Sequence, residues 1–95
     1  MIRPENKAAF DTALLTVLDE QGSSRFGLGV EALKLLVGRF GFSPSSEDVE
    51  KSLRYLEGEP LAHIELVDRK GFNPQARSWR ITTRGMNWLL EQSPR

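Results

Sequence analysis

The 95-residue chain contains no cysteine and a single histidine, His63. Without thiols there is no disulfide framework, no cysteine zinc site and no thiol nucleophile, and one imidazole supplies no histidine pair for a metal. The acidic residues are scattered, with neither EF-hand nor His-Glu-x-x-His spacing. A Gly-x-Ser-x-Gly elbow and a Gly-x-x-x-x-Gly-Lys-Ser/Thr phosphate loop are also missing. The chain is therefore expected not to be an enzyme and to need no metal or cofactor. No apolar run approaches the ~20 residues that span a bilayer. The start, "MIRPENKAAF", has no basic segment leading into an apolar one. The expected compartment is cytoplasmic, with no membrane partner.

Net charge is also lacking: thirteen basic residues balance thirteen acidic ones. That argues against coating nucleic acid through bulk charge. The distribution is uneven, however. Residues 1–50 hold five basic and eight acidic groups, whereas residues 66–84 hold Arg69, Lys70, Arg77, Arg80 and Arg84 against Asp68 alone. With 39% apolar and 27% charged residues, the composition is that of one ordinary globular domain, residues 1–95.

In "NKAAFDTALLTVLDEQG", Phe10, Ala13, Leu14, Val17 and Leu18 recur at helical spacing, Pro4 suits the first turn, and Gly22 suits the stop. The brief "SSRFG" fits a loop or a two-residue edge strand. A second helix is expected from about Gly29 to Phe40, with Val30, Leu33, Leu36, Val37 and Phe40 on one side and Gly41 ending it. Ser45 is a natural N-cap for a third helix, Glu47 and Asp48 complement its dipole, and Val49, Leu53 and Leu56 form its inner face. The period then changes to two in "HIELVDRK" and "ARSWRITT", joined by "GFNPQA", as in a hairpin. Pairing Lys70 with Arg77 places Leu66 opposite Ile81. Thr83 or Thr82 caps a last helix whose Met86, Leu89 and Leu90 return to the core.

Within "RFGLGVEALKLLVGRF", Gly27, Gly29 and Ala32 spell Gly-x-Gly-x-x-Ala. A dinucleotide site needs an apolar parallel strand before the glycines and a crossover after them. Here "QGSSRF" precedes and another helix follows. The glycines are expected to allow a tight turn and close packing of the second helix on the first.

Ile81, Thr82, Thr83, Arg84, Gly85 and Leu89 resemble the Leu-Thr-x-x-Gly-x-x-x-Leu segment by which the wing returns to the last helix in bacterial regulators of the MarR and PadR types. Val49, Leu53 and Leu56, followed by Leu61 and Ile64, resemble their recognition helix running into the first wing strand. The chain is also similar to small winged-helix proteins of Mu-like transposable phages. The resemblance covers about residues 8–90 and implies an α+β winged helix-turn-helix: three helices, a two-stranded β-hairpin wing and a short C-terminal helix. The entry "EGEPLAHIEL" is longer and more acidic than is usual for the wing.

The resemblance implies binding of double-stranded DNA as a transcriptional or phage-type regulator, with helix 45–57 as recognition helix and the basic wing 69–77 on the backbone. With Val49, Leu53 and Leu56 inward, the outward stripe is Glu47, Lys51, Arg54 and Gly58, with Ser46 at its start and Tyr55 to one side. Lys51 and Arg54 suit phosphates or guanine edges. They equally form i to i+4 pairs with Glu47 and Glu50, the pattern of a solvated face. Arg69, Lys70 and Arg77 cluster near the hairpin tip, while Arg80 can join them or pair across the strands with Glu65. Phe72 in the tip and Trp88 on the last helix are candidates for a partner contact or a homodimer seam. The competing reading is a winged helix that docks a protein partner without binding DNA.

Overall fold

A computed structural model describes residues 3–20, 27–67 and 77–92. A 3-10 turn at Pro4–Asn6 leads into α1 (Lys7–Glu20), followed by α2 (Val30–Val37), a 3-10 turn (Gly38–Phe40), α3 (Ser46–Glu57), β1 (Ile64–Leu66), β2 (Trp79–Ile81) and α4 (Thr83–Gln92). The architecture is α+β, four helices and a two-stranded antiparallel hairpin, a layout compatible with a winged helix. Among the described residues, no helix is long and apolar enough to cross a membrane.

The hairpin pairs Ile64 with Ile81, Glu65 with Arg80 and Leu66 with Trp79. This differs by two residues from the register that sets Leu66 against Ile81. A slip of two keeps every side chain on its face, so the apolar alternation alone does not choose between them. Here Ile64, Trp79 and Ile81 face the core, while Leu66 remains 44% exposed. Leu28 forms an antiparallel bridge to Trp79, exchanging both backbone bonds at 2.8 and 2.9 Å. Of "SSRFG", expected as a loop or a two-residue edge strand, only Gly27 is among the described residues; the bridge falls one residue later, so that β2 lies between Leu28 and β1.

Helix α1 is the centre of the core. Phe10, Leu14, Leu15, Val17 and Leu18 are all buried, and they meet Leu33 and Val37 of α2, Val49, Leu53 and Leu56 of α3, and Ile81 of β2 in one cluster. Phe42, between α2 and α3, packs edge-on against Phe10 with ring centroids 5.4 Å apart. The start of α3 is a capping box: Ser45 Oγ accepts from Asp48 N at 3.1 Å, and Asp48 Oδ2 accepts from Ser45 N at 3.1 Å. The backbone N–H of Ser45 holds the Asp48 carboxyl below its ordinary 3.8.

Gly27 has φ +65°, and a Cβ there would lie 2.5 Å from the Trp79 carbonyl oxygen. A Cβ on Gly29 would lie 3.3 Å from the Arg77 carbonyl oxygen. Both glycines therefore admit the hairpin, and the expected close packing of α2 on α1 is not what they serve. The cap of α4 is Thr82, whose Oγ1 accepts from Gly85 N at 3.2 Å and donates to the Ala62 carbonyl at 2.7 Å. Arg84 reaches back to the Pro60 carbonyl at 3.2 Å and to Glu59 at 3.5 Å, which ties the long acidic wing entry to α4. Leu90, expected inward, is 60% exposed; Gly85 takes the innermost place, and Leu90 falls ~140° around the helix from it. The expected Gly22 stop lies outside the described residues.

His63, at the foot of β1, is buried against the Trp88 ring, centroids 5.6 Å apart. Burial, and secondarily the positive Arg84, pushes its pKa below the ordinary 6.5. The unfolded chain then takes up a proton at a pH where the folded chain does not. Stability is complete above about pH 6.5 and falls as pH drops below it toward the lowered folded value. Thermal melts from neutral to mildly acidic pH are expected to show this decline, and His63→Gln is expected to flatten it. Superimposable pH profiles for the two proteins would contradict the assignment.

Candidate nucleic-acid interface

The outer surface of α3, the N-terminal end of α2 and the near side of the hairpin enclose a groove of about 680 Å³. Of the candidate DNA-binding residues, Ser46, Arg54 and Arg77 line it, together with Gly27, Gly29 and Ala32 of the Gly-x-Gly-x-x-Ala stretch. The fold explains their meeting. Gly27 and Gly29 let β2 pass close to the start of α2, and the capping box fixes the direction in which α3 leaves Ser45. The Leu66–Trp79 pair forms the groove's floor on the hairpin side.

The groove's charge is mixed. Arg54 and Arg77 share it with Glu31, Glu50 and Glu57. Arg54 lies 3.9 Å from Glu50, and Lys51, which is not a lining residue, lies 3.6 Å from Glu47. The Lys51 and Arg54 side chains are 70% and 78% exposed. Pairs so open to water contribute little and exchange partners readily. Ser46 Oγ accepts from Lys34 Nζ at 3.3 Å and lies 3.5 Å from Glu31 Oε1, so the first turn of α3 is tied to α2 through polar contacts.

The remaining candidates separate. Tyr55 is exposed on the α1 side of α3, where the Lys7 ammonium sits 4.1 Å from its ring centroid; it borders a different cavity. Arg80 pairs across the strands with Glu65, the alternative that the sequence left open. Trp88 is half-buried on α4. Arg69, Lys70 and Phe72 lie outside the described residues. Sequence reasoning did not find Glu31, Glu57, Leu66 or Trp79 as groove residues. Helical periodicity marks Glu31 only as exposed and Glu57 only as a neighbour of Arg54, and the register that brings Leu66 opposite Trp79 is not encoded in the alternation.

Among the described residues no group of three or more His, Asp or Glu side chains converges to hold a metal. Comparison with protein-family models, with curated proteins and with solved structures gave no match.

Proposed function

We propose that the chain is a DNA-binding winged-helix protein, a transcriptional or phage-type regulator. The recognition helix is α3, whose stripe of Lys51 and Arg54 enters the major groove, and the hairpin with its basic segment 69–77 lies on the backbone. The observation that carries this reading is the convergence of Arg54 from α3 and Arg77 from the hairpin on one groove. A phosphate can replace Glu50 beside Arg54 and Glu47 beside Lys51 at small cost, because both ion pairs are long and solvated. The carboxylates that remain hold down nonspecific affinity and leave discrimination to base contacts. A homodimer joined through α4, which carries the exposed Leu90, would address two half-sites.

One observation favours a second reading, a protein partner. Glu31, Glu50 and Glu57 stand in the same groove as the partly exposed Leu66, a mixed surface with an apolar spot.

Fluorescence anisotropy with random duplex separates the two. The DNA reading predicts weak binding whose log affinity falls against log salt with slope about −5, three phosphates per subunit of a dimer. Undetectable binding at low salt would favour the protein partner.

A further inference from the structure

Of the polar side chains that open α3, Ser46 and Asp48 are engaged within the fold. Ser46 Oγ accepts from Lys34 Nζ at 3.3 Å and lies 3.5 Å from Glu31 Oε1, and Asp48 closes the capping box with Ser45. Glu47, between them, takes part in neither arrangement. Its side chain is 78% exposed, and among the described residues its partner is Lys51, 3.6 Å away and itself 70% exposed. So open a pair adds little to the helix.

Helical geometry gives Glu47 the foremost place on α3. At ~100° per residue it stands almost opposite the buried row of Val49, Ser52, Leu53 and Leu56, with Lys51 and Arg54 on either side. The row that faces the hairpin is a different one, Ser46, Glu50, Arg54 and Glu57, and Glu47 is not in it. When a helix enters the major groove, phosphates flank it and base edges lie in front of it. A carboxylate in front accepts hydrogen bonds and cannot donate them. The donors that bases present there are the amino groups of cytosine and adenine. Adenine sets its N7 acceptor beside that amino group and so repels a carboxylate, whereas cytosine offers its amino group without a neighbouring acceptor. We propose, resting on the DNA-binding reading, that Glu47 is a specificity-determining residue that accepts a hydrogen bond from the N4 amino group of a cytosine. The preferred duplex then carries a C·G pair at one fixed position. Lys51, one turn and about 6 Å farther along the axis, meets a separate base pair or a phosphate.

The test is selection from a pool of random-sequence duplexes at low salt by the full chain, by Glu47→Gln and by Glu47→Ala. The wild-type protein is expected to enrich sites with cytosine at one position. Glu47→Gln is expected to exchange that cytosine for adenine, since a glutamine amide pairs with adenine N6 and N7 together, and Glu47→Ala to leave the position unspecified. The rest of the site should be unchanged in both. In anisotropy titrations the wild type should hold the cytosine duplex at least about fivefold more tightly than its adenine counterpart, and Glu47→Gln should reverse the order. Both variants should keep the wild-type circular dichroism, because Ser45 and Asp48 cap the helix without Glu47. The same enriched sequence from all three proteins, or wild-type binding with no sequence enriched, would overturn the assignment and leave the contact of α3 with DNA standing. No binding of any duplex would remove both.

Discussion

Replacing Gly85 by alanine is expected to destabilise the fold by roughly 3 kcal/mol, against the helix-propensity trend that ordinarily makes such a change favourable by about 1 kcal/mol. Gly85 is buried inside α4, where that helix crosses the foot of the hairpin. A Cβ there would sit 2.3 Å from the His63 carbonyl oxygen and 2.7 Å from Ile81 Cγ1. The first neighbour is backbone and cannot rotate away, so α4 must lift from β1, weakening the Thr82 cap and the Trp88–His63 contact. Overpacking of this kind costs about 1–3 kcal/mol or more, and the sacrificed cap adds about 1 kcal/mol. For a domain of this size the melting temperature should fall by at least about 10 °C. Gly38→Ala is the control: Gly38 has a right-handed φ of −57°, and a Cβ there would meet nothing within 4 Å, so the change should be neutral or stabilising by up to about 0.5 kcal/mol. Equal effects from the two substitutions would show that crowding at Gly85 is not the cause.

The second large effect concerns DNA. Arg54→Ala with Arg77→Ala removes the two cations that, among the described residues, line the groove between α3 and the hairpin. Affinity for random duplex is expected to fall at least tenfold at moderate salt. Each lost phosphate contact should also flatten the salt slope by about 0.9. A different pattern is expected from Arg80→Ala, whose guanidinium is engaged by Glu65 across the hairpin; its effect on DNA should be less than about twofold. If Arg80→Ala weakens binding as much as the double change, the cationic surface runs over the exposed face of the hairpin and the groove is not its centre.

Much of the fold is legible in the residues, for reasons that differ by element. Helix α3 is the clearest, because Ser45, Asp48 and the spacing Val49, Leu53, Leu56 specify its start and its inner face together. Helix α1 is equally plain, since Phe10, Leu14, Val17 and Leu18 mark a broad apolar side that the core must cover. The hairpin is recognisable from its change of period, yet its register is not. The observed pairing is seen in the packing of the two strands: Val67 N donates to the Ser78 carbonyl and Thr82 N to the His63 carbonyl, each at 2.9 Å, on either side of the Ile64–Ile81 and Leu66–Trp79 pairs. The inward face of α4 is misread for a related reason: Leu90 is apolar, but the approach that Gly85 permits turns it to solvent. For the site, the sequence identifies the cations and their spacing, and pairing by Glu47 and Glu50 follows from the same spacing. It does not reveal that Arg54 and Arg77 converge, or that Glu31 joins them, because these residues belong to α3, the hairpin and α2 and meet only in the packed fold; Glu57, three residues beyond Arg54 on the same helix, is a neighbour that helical spacing already places there.

The central claim is that DNA is met by the outer face of α3 and the adjoining hairpin. The most direct measurement is a map of backbone amide shifts as a short random duplex is added to the ¹⁵N-labelled protein at low salt. The account predicts progressive shifts concentrated at Ser46, Lys51, Arg54 and Arg77, reversed by added salt, with the buried face of α1 unmoved. Shifts confined to α1 and α4, or a spectrum unchanged by excess duplex, would contradict it.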